Sequence, residues 1–153
     1  MKIRRAKLSD TKEINNLIKK TLKKVNIKDY SKKQIEVLIE KNTLQDTSNR
    51  IKEGKVFCAV ENTKIIGIAG VYGNRLGGFY VSPNKINKGI GKQLLEVAEN
   101  YMVKNKRRKA KLSSTITALE FYKKHGYKVI KREKWEPEKG IVFPVVEMEK
   151  KLK

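Results

Sequence analysis

The side chains able to do chemistry in this sequence are few, and their spacing narrows what that chemistry is. The stretch Val81-Ser82-Pro83-Asn84-Lys85-Ile86-Asn87-Lys88-Gly89-Ile90-Gly91 sets two glycines where an apolar periodic run begins. Glycines at a helix start leave backbone N–H groups unshielded at the positive end of the helix dipole, an arrangement that binds phosphate. Lys85, Lys88 and Lys92 add charge nearby, as point charges with little geometric choice. The same Gly-x-Gly spacing also serves plain helix–strand packing. One histidine and one cysteine cannot supply a typical transition-metal site, so no metal is expected. Cys58 lies in the apolar run Val56-Phe57-Cys58-Ala59-Val60 and reads as a buried strand residue. A reactive thiol needs an exposed, electropositive setting. His125, beside Gly126 at an expected helix end, reads as structural, its charge favoured by the helix dipole. Glu61 falls in a polar turn, where it is a solvated residue or a base acting through water.

The elements that must position these residues follow from periodicity. Met1 to Ala6 reads as a strand. Asp10 with Glu13 forms a capping box for a helix that presents Ile14, Leu17, Ile18, Leu22 and Val25 on one face. Ser31 with Gln34 repeats the signal before Ile35, Leu38 and Ile39, and residues 43 to 52 hold a further short helical turn. Val56 to Val60 and Ile65 to Val71 read as a hairpin around Glu61-Asn62-Thr63-Lys64. Gly73 to Gly78 reads as a turn, and Phe79-Tyr80-Val81 as a strand stopped by Pro83. Ile90 to Lys104 is helical. Lys109 to Ser114 is a strand, Thr117 to His125 a helix ended by Gly126, and Tyr127 to Lys131 and Ile141 to Met148 are the last strands. The expected fold class is α/β (α+β): a mixed, mostly antiparallel sheet of six to seven strands with a central βαβ crossover and helices on both faces. Ligands in such folds bind at the carboxyl ends of the crossover strands.

The glycine loop resembles the main cofactor motif of the GNAT superfamily of acetyl-CoA-dependent N-acetyltransferases, a Gln or Arg followed by x-x-Gly-x-Gly or Ala. Ile86 stands where that family has Gln or Arg, and Asn87 where Gly is common. Downstream, Thr115-Ile116-Thr117-Ala118-Leu119-Glu120-Phe121-Tyr122-Lys123-Lys124-His125-Gly126-Tyr127 is similar to the family's Asn-Ala-x-x-Phe-Tyr-x-Lys-x-Gly-Phe/Tyr segment, with Thr117 in place of Asn. The tail Phe143 to Lys150 looks like the family's final strand, and the resemblance covers nearly the whole chain. It implies an acetyl-CoA donor held by Lys88, Gly89, Ile90, Gly91 and Lys92, with Thr117 contributing. It also implies a thioester seated where the Val81 and Ser113 strands splay, polarised by a backbone N–H at Tyr80 or Val81. Tyr122 matches the tyrosine that protonates the departing thiolate. Beside that role stands the reading of Tyr122 as a core aromatic next to Phe121.

With 153 residues, 39% hydrophobic and 35% charged, the chain fits one domain over 1–153. No run is apolar enough to span a bilayer, no signal peptide is evident, and a cytoplasmic protein is expected. Its 37 Lys plus Arg against 16 Asp plus Glu give a net charge of +21, scattered along the chain. That field favours anionic ligands. It argues against a polycationic acceptor and for one carrying carboxylate or phosphate. The cluster Lys104-Asn105-Lys106-Arg107-Arg108-Lys109-Ala110-Lys111 reads as a solvated loop; the alternative to an enzyme is a basic module on RNA or ribosomes, although RNA-binding signatures are absent and nucleic acid is not the expected partner. The expected acceptor is a small-molecule or peptide amine, walled by the two N-terminal helices and the Gly73 to Gly78 turn. The last strand with Pro144 offers an edge for a homodimer.

Overall fold

The computed structural model describes residues 1–153. Chain order is β1 (Lys2–Arg5), α1 (Thr11–Lys24), α2 (Lys32–Lys41), α3 (Leu44–Glu53), β2 (Lys55–Glu61), β3 (Lys64–Tyr72), β4 (Arg75–Val81), α4 (Ile90–Lys104), β5 (Lys109–Ser114), α5 (Leu119–Lys124), β6 (Lys128–Glu138) and β7 (Ile141–Lys151). The strands form one seven-stranded sheet in the order β1-β2-β3-β4-β5-β7-β6. Every pairing is antiparallel except β4 with β5, the two strands joined by the α4 crossover. No helix is long and apolar enough to cross a membrane.

Both faces of the sheet are covered, which is why β2 and β3 read as near-continuous apolar runs. Val56 and Cys58 of β2 meet Ile14, Ile18 and Leu22 of α1 and Ile35 of α2, while Phe57 and Ala59 between them meet Leu94, Ala98 and Met102 of α4. That alternation is the period of two expected of a strand. Cys58 is fully buried, and burial pushes its thiol up to about 12, so it is inert packing.

The local chemistry of the helix starts bears out Ser31 and Gln34, which cap α2 reciprocally at 2.7 and 3.1 Å. It corrects Asp10 and Glu13. Asp10 accepts two bonds from the Arg4 guanidinium, at 2.8 and 3.1 Å, and one from the Lys7 N–H at 2.7 Å. Glu13 instead accepts the Ile65 N–H at 2.7 Å. A bidentate charged partner outcompetes a neutral cap. The β2–β3 connection is a two-residue turn with Asn62 and Thr63 both left-handed, at φ 50° and 65°, the geometry that matches the strands' own twist.

Three strand expectations change. Only Gly73 and Asn74 form a turn, and β4 already begins at Arg75, so most of the expected Gly73 to Gly78 turn is strand. Between the pairs Ile68↔Tyr80 and Gly70↔Gly77, β4 holds one residue more than β3, a bulge with Gly78 left-handed at φ 62°. Glycine marked a bulge here rather than a turn. Next, β6 runs to Glu138, well past Lys131, and is exposed along almost its whole length. Its Lys-Arg-Glu-Lys run has no alternation because an edge strand with little covering it has no face to keep apolar. Finally, the sheet edge at this end is β6 and not the Pro144 strand: β7 lies between β5 and β6, and β1 forms the other edge. Pro144 is tolerated there because β5 ends at Ser114, opposite Val146, leaving β7 one neighbour at that level. The α5 helix is also shorter than expected, opening at Leu119 and ended by left-handed Gly126.

Candidate active site

The two parallel strands part almost at once. β4 and β5 share the single register pair Arg75↔Lys111, supported by the Lys111 N–H donating to the Asn74 carbonyl at 2.8 Å. The bulge at Gly78 bends β4 just before its last residues, and a gap opens between Phe79-Tyr80-Val81 and Ser113-Ser114. The closed end of this V is strapped by side chains. Arg75 donates to both carboxylate oxygens of Glu147 at 2.8 and 3.1 Å, and Ser113 Oγ donates to the same carboxylate at 2.8 Å, joining β4, β5 and β7. Arg75 with Ser113 holds the Glu147 carboxyl below the usual carboxylate range.

Ladder phase separates the two backbone candidates. The Ser82 N–H donates to the Ile66 carbonyl at 2.8 Å, so Ser82 and Ile66 form a hydrogen-bonded pair. In an antiparallel ladder such pairs alternate. Tyr80 therefore pairs with Ile68, whereas Val81 faces away from β3 and turns its N–H toward the gap. Its carbonyl on that side lies 3.4 Å from the donating hydroxyl of Thr21 in α1.

At the gap's upper end sits the start of α4. Gly89, the residue before the helix, is left-handed at φ 82°, has no capping side chain, and a β-carbon built on it would meet nothing within 4 Å. The first N–H groups of α4 are thus open from that side, which fits a pyrophosphate. Asn87, at φ 64°, replaces a common glycine with the residue that best tolerates the left-handed region. Lys88 and Lys92 are exposed beside the loop, and Ile90 turns its side chain into the core, leaving only its N–H available. Gly91 does something else: a β-carbon there would press on the Phe121 ring at 3.2 Å, so its smallness lets α4 approach α5. Lys85 is engaged by Glu61 at 2.6 Å, which holds that carboxyl low and occupies the candidate base.

Tyr122 of α5 is buried beneath β4. Its ring meets Phe79 at 5.9 Å, Phe121 at 5.4 Å and Tyr127 at 5.6 Å, and burial, with nearby Tyr80, pushes its phenol pKa up. Thr117 lies in the turn before α5, 3.5 Å from the Asn26 amide. His125 packs on Phe121 at 4.6 Å. Burial and the lysines Lys124, Lys92 and Lys150 push its pKa down, so it stands there neutral and not as a dipole-stabilised cation.

On the opposite face of the sheet a pocket of about 450 Å³ is lined by Ser113, Ser114 and Thr115 at the end of β5. Its other walls are Tyr30 and Leu38 on one side and Glu133, Lys134, Trp135, Phe143, Pro144 and Val145 on the other. Of the two N-terminal helices only α2 contributes to the pocket, through Leu38, and Tyr30 lies in the turn before α2. Gly77 and Gly78 of the Gly73 to Gly78 segment line a separate void of about 10 Å³ with Ile14, Ile18, Thr47 and Arg50 of the N-terminal helices. Tyr30, Trp135 and Phe143 carried no sequence signal of shared position; only the fold brings them together.

Comparison with known proteins places the chain among acetyltransferases. A family model described as Acetyltransferase (GNAT) domain matches residues 26–152. A solved GCN5-related N-acetyltransferase from Rhodopseudomonas palustris, described also as aminotransferase, class-II, superposes with a TM-score of 0.93 at 19% identity, covering 99% of this chain and 95% of that one. PaiA N-acetyltransferase from Thermoplasma acidophilum, solved in complex with coenzyme A, gives 0.77 at 26% identity, covering 98% of each chain. A ribosomal-protein-alanine N-acetyltransferase from Brucella melitensis gives 0.75 at 18% identity, covering 99% of this chain and 100% of that one. No curated protein sequence matches the chain.

Proposed function

The chain belongs to the GNAT acetyltransferase family of acyl-transferring enzymes, and from that premise we propose that it moves an acetyl group from acetyl-CoA to a primary amine by direct attack, with Tyr122 as general acid. The observation that carries the reading is the gap itself: one strand pair, then divergence, with an open helix N-terminus on one face and the 450 Å³ pocket on the other.

Acetyl-CoA supplies an activated acyl thioester. The backbone N–H groups from Gly89 to Lys92 bind its pyrophosphate, with Lys88 and Lys92 adding field. The strand edges bared by the splay take the pantetheine arm, and Thr117 lines its path. The Val81 N–H donates to the thioester carbonyl and stabilises negative charge as it develops there. A free amine entering from the pocket bonds to the acyl carbon as the carbon–sulfur bond breaks. Tyr122 gives its proton to the leaving sulfur, and the amine's surplus proton passes to water, which returns one to the Tyr122 oxygen; Glu61 is tied to Lys85 and no side chain is assigned as base. The coenzyme A complex of the Thermoplasma relative supports the donor. The protein acts in the cytoplasm as a single domain, and β6 is the edge a homodimer would use.

The test is thiol release with primary amines for the protein and for Tyr122→Phe. Phe keeps the packing and removes the proton, so kcat falls by about 10²- to 10⁴-fold, the usual worth of a general acid. Coenzyme A affinity stays the same. Undiminished kcat in the variant rules out the acid role.

A further inference from the structure

We propose that the acceptor is a primary amine carrying an aromatic ring, and that Trp135 selects it; the inference rests on amine acyl transfer at the β4–β5 gap. Trp135 is the chain's one tryptophan and is 44% exposed on an edge strand whose neighbours are charged. A tryptophan ring open to water inside a pocket wall is the kind of group that dominates binding energy when a ligand covers it.

The ring is held, not loose. It stands against Phe143 at 5.2 Å and 35°, and Phe143 stands against Tyr30 at 5.6 Å and 53°. Phe143 and Tyr30 are buried, and the Tyr30 hydroxyl accepts the Ile116 N–H at 3.1 Å, which pins it to the segment leaving β5. The two inner rings form a fixed base and leave the outer one a free face. Aromatic pairs at such separations add about 0.5–1.5 kcal/mol beyond area burial. Leu38 and Val145 make the flanking walls apolar.

Charge decides between a ring and a second ionic group at the far end. Glu133, the acid beside Trp135, is paired with Lys131 at 2.9 Å. Lys134 lies between Glu133 and Trp135 in a regular stretch, and by alternation its side chain projects to the other face. On the Trp135 face of β6 the acid is thus paired, and the one unpaired charge of the wall, Lys134, is set toward the other face. This revises the expectation drawn from net charge: the global field is positive, yet the end of the pocket at Trp135 is aromatic and its acid is paired. Acceptor nitrogen at the Ser114–Thr115 mouth and ring on Trp135 describe an arylalkylamine, a fit for a cavity of about 450 Å³.

Because Trp135 is the only indole, its fluorescence reports occupancy independently of turnover. The experiment titrates the full chain with 2-phenylethylamine, n-butylamine, spermidine and phenylacetate, and measures thiol release from acetyl-CoA with the three amines. The expected result is a saturable fluorescence change with 2-phenylethylamine and a kcat/KM for it about tenfold or more above that for n-butylamine, equivalent to ~1.4 kcal/mol. In Trp135→Ala that ratio collapses toward one through KM, and Trp135→Phe restores most of it. Circular dichroism confirms that both variants fold. Turnover of n-butylamine or spermidine at or above the rate of 2-phenylethylamine overturns the inference and leaves acyl transfer standing. So does an unchanged ratio in Trp135→Ala. Saturable binding of 2-phenylethylamine with no amine turned over sinks acyl transfer, and with it any acceptor role for the bound ring.

Discussion

Tyr122 carries the proton-transfer part of the account, and its setting makes a prediction about pH. Burial among Phe79, Phe121 and Tyr127 pushes the phenol above its ordinary value near 10, so it keeps its proton where an exposed tyrosine would lose it. Rates followed from neutral to about pH 10 should rise as the amine loses its proton, with no descending limb from the acid. A fall centred near 10 would contradict the assignment. Tyr122 is singled out in the sequence by the segment it shares with Phe121, and its place in the core beside Phe79 and Tyr127 comes from the fold. Which of the Val81 and Tyr80 N–H groups faces away from β3 depends on ladder phase, which residue spacing does not carry. Nor does spacing carry the separate work of the two glycines, Gly89 open to a ligand and Gly91 pressed against Phe121. Trp135 lies on β6, Phe143 on β7 and Tyr30 in the turn before α2, and nothing in their spacing announces a common wall.

Among elements, the account depends on α4 being seated tightly on α5 and on β4 parting from β5. Gly91→Val should force α4 off the Phe121 ring, destabilising the protein by about 1–3 kcal/mol, as overpacking usually does, and weakening coenzyme A binding because the helix start moves. Denaturant unfolding and calorimetry read the two effects. The Arg75–Glu147–Ser113 strap adds a pH dependence. Glu147 has a folded pKa below its unfolded value near 4.3, so its contribution is complete above that value and is lost as pH falls through the folded one. Compared with Glu147→Gln, the protein should unfold at higher temperature near neutral pH, and the difference should shrink in acid. A difference that grew in acid would reverse the sign and remove the strap. Helices and hairpin strands with clear periodicity were readable, as were Ser31 and Gln34 as a cap. The start of β4 was not, because glycine marks turns and bulges alike, and β6 was not, because an exposed edge needs no pattern.

At the scale of the whole molecule, the net charge of +21 and the placement of the site raise the question of specificity. The densest basic cluster begins where α4 ends, and α4 has 15 residues, about 22 Å at 1.5 Å each. That distance exceeds the screening length near physiological salt, about 8 Å, so the cluster adds little at Gly89. On the proposed acetyl-CoA reading, selection of the donor falls to the cradle and the gap together. Thermal unfolding near physiological salt with acetyl-CoA, ATP and pyrophosphate in turn measures this. A ligand at a hundredfold its dissociation constant stabilises by about 2.7 kcal/mol, and a domain of this size shifts by roughly 2–4 °C per kcal/mol. The account predicts a shift of several degrees with acetyl-CoA and a far smaller one with either polyphosphate. No shift, or an equal one with all three, would mean that the loop around Gly89 attracts anions through charge alone, and would contradict an acetyl-CoA site.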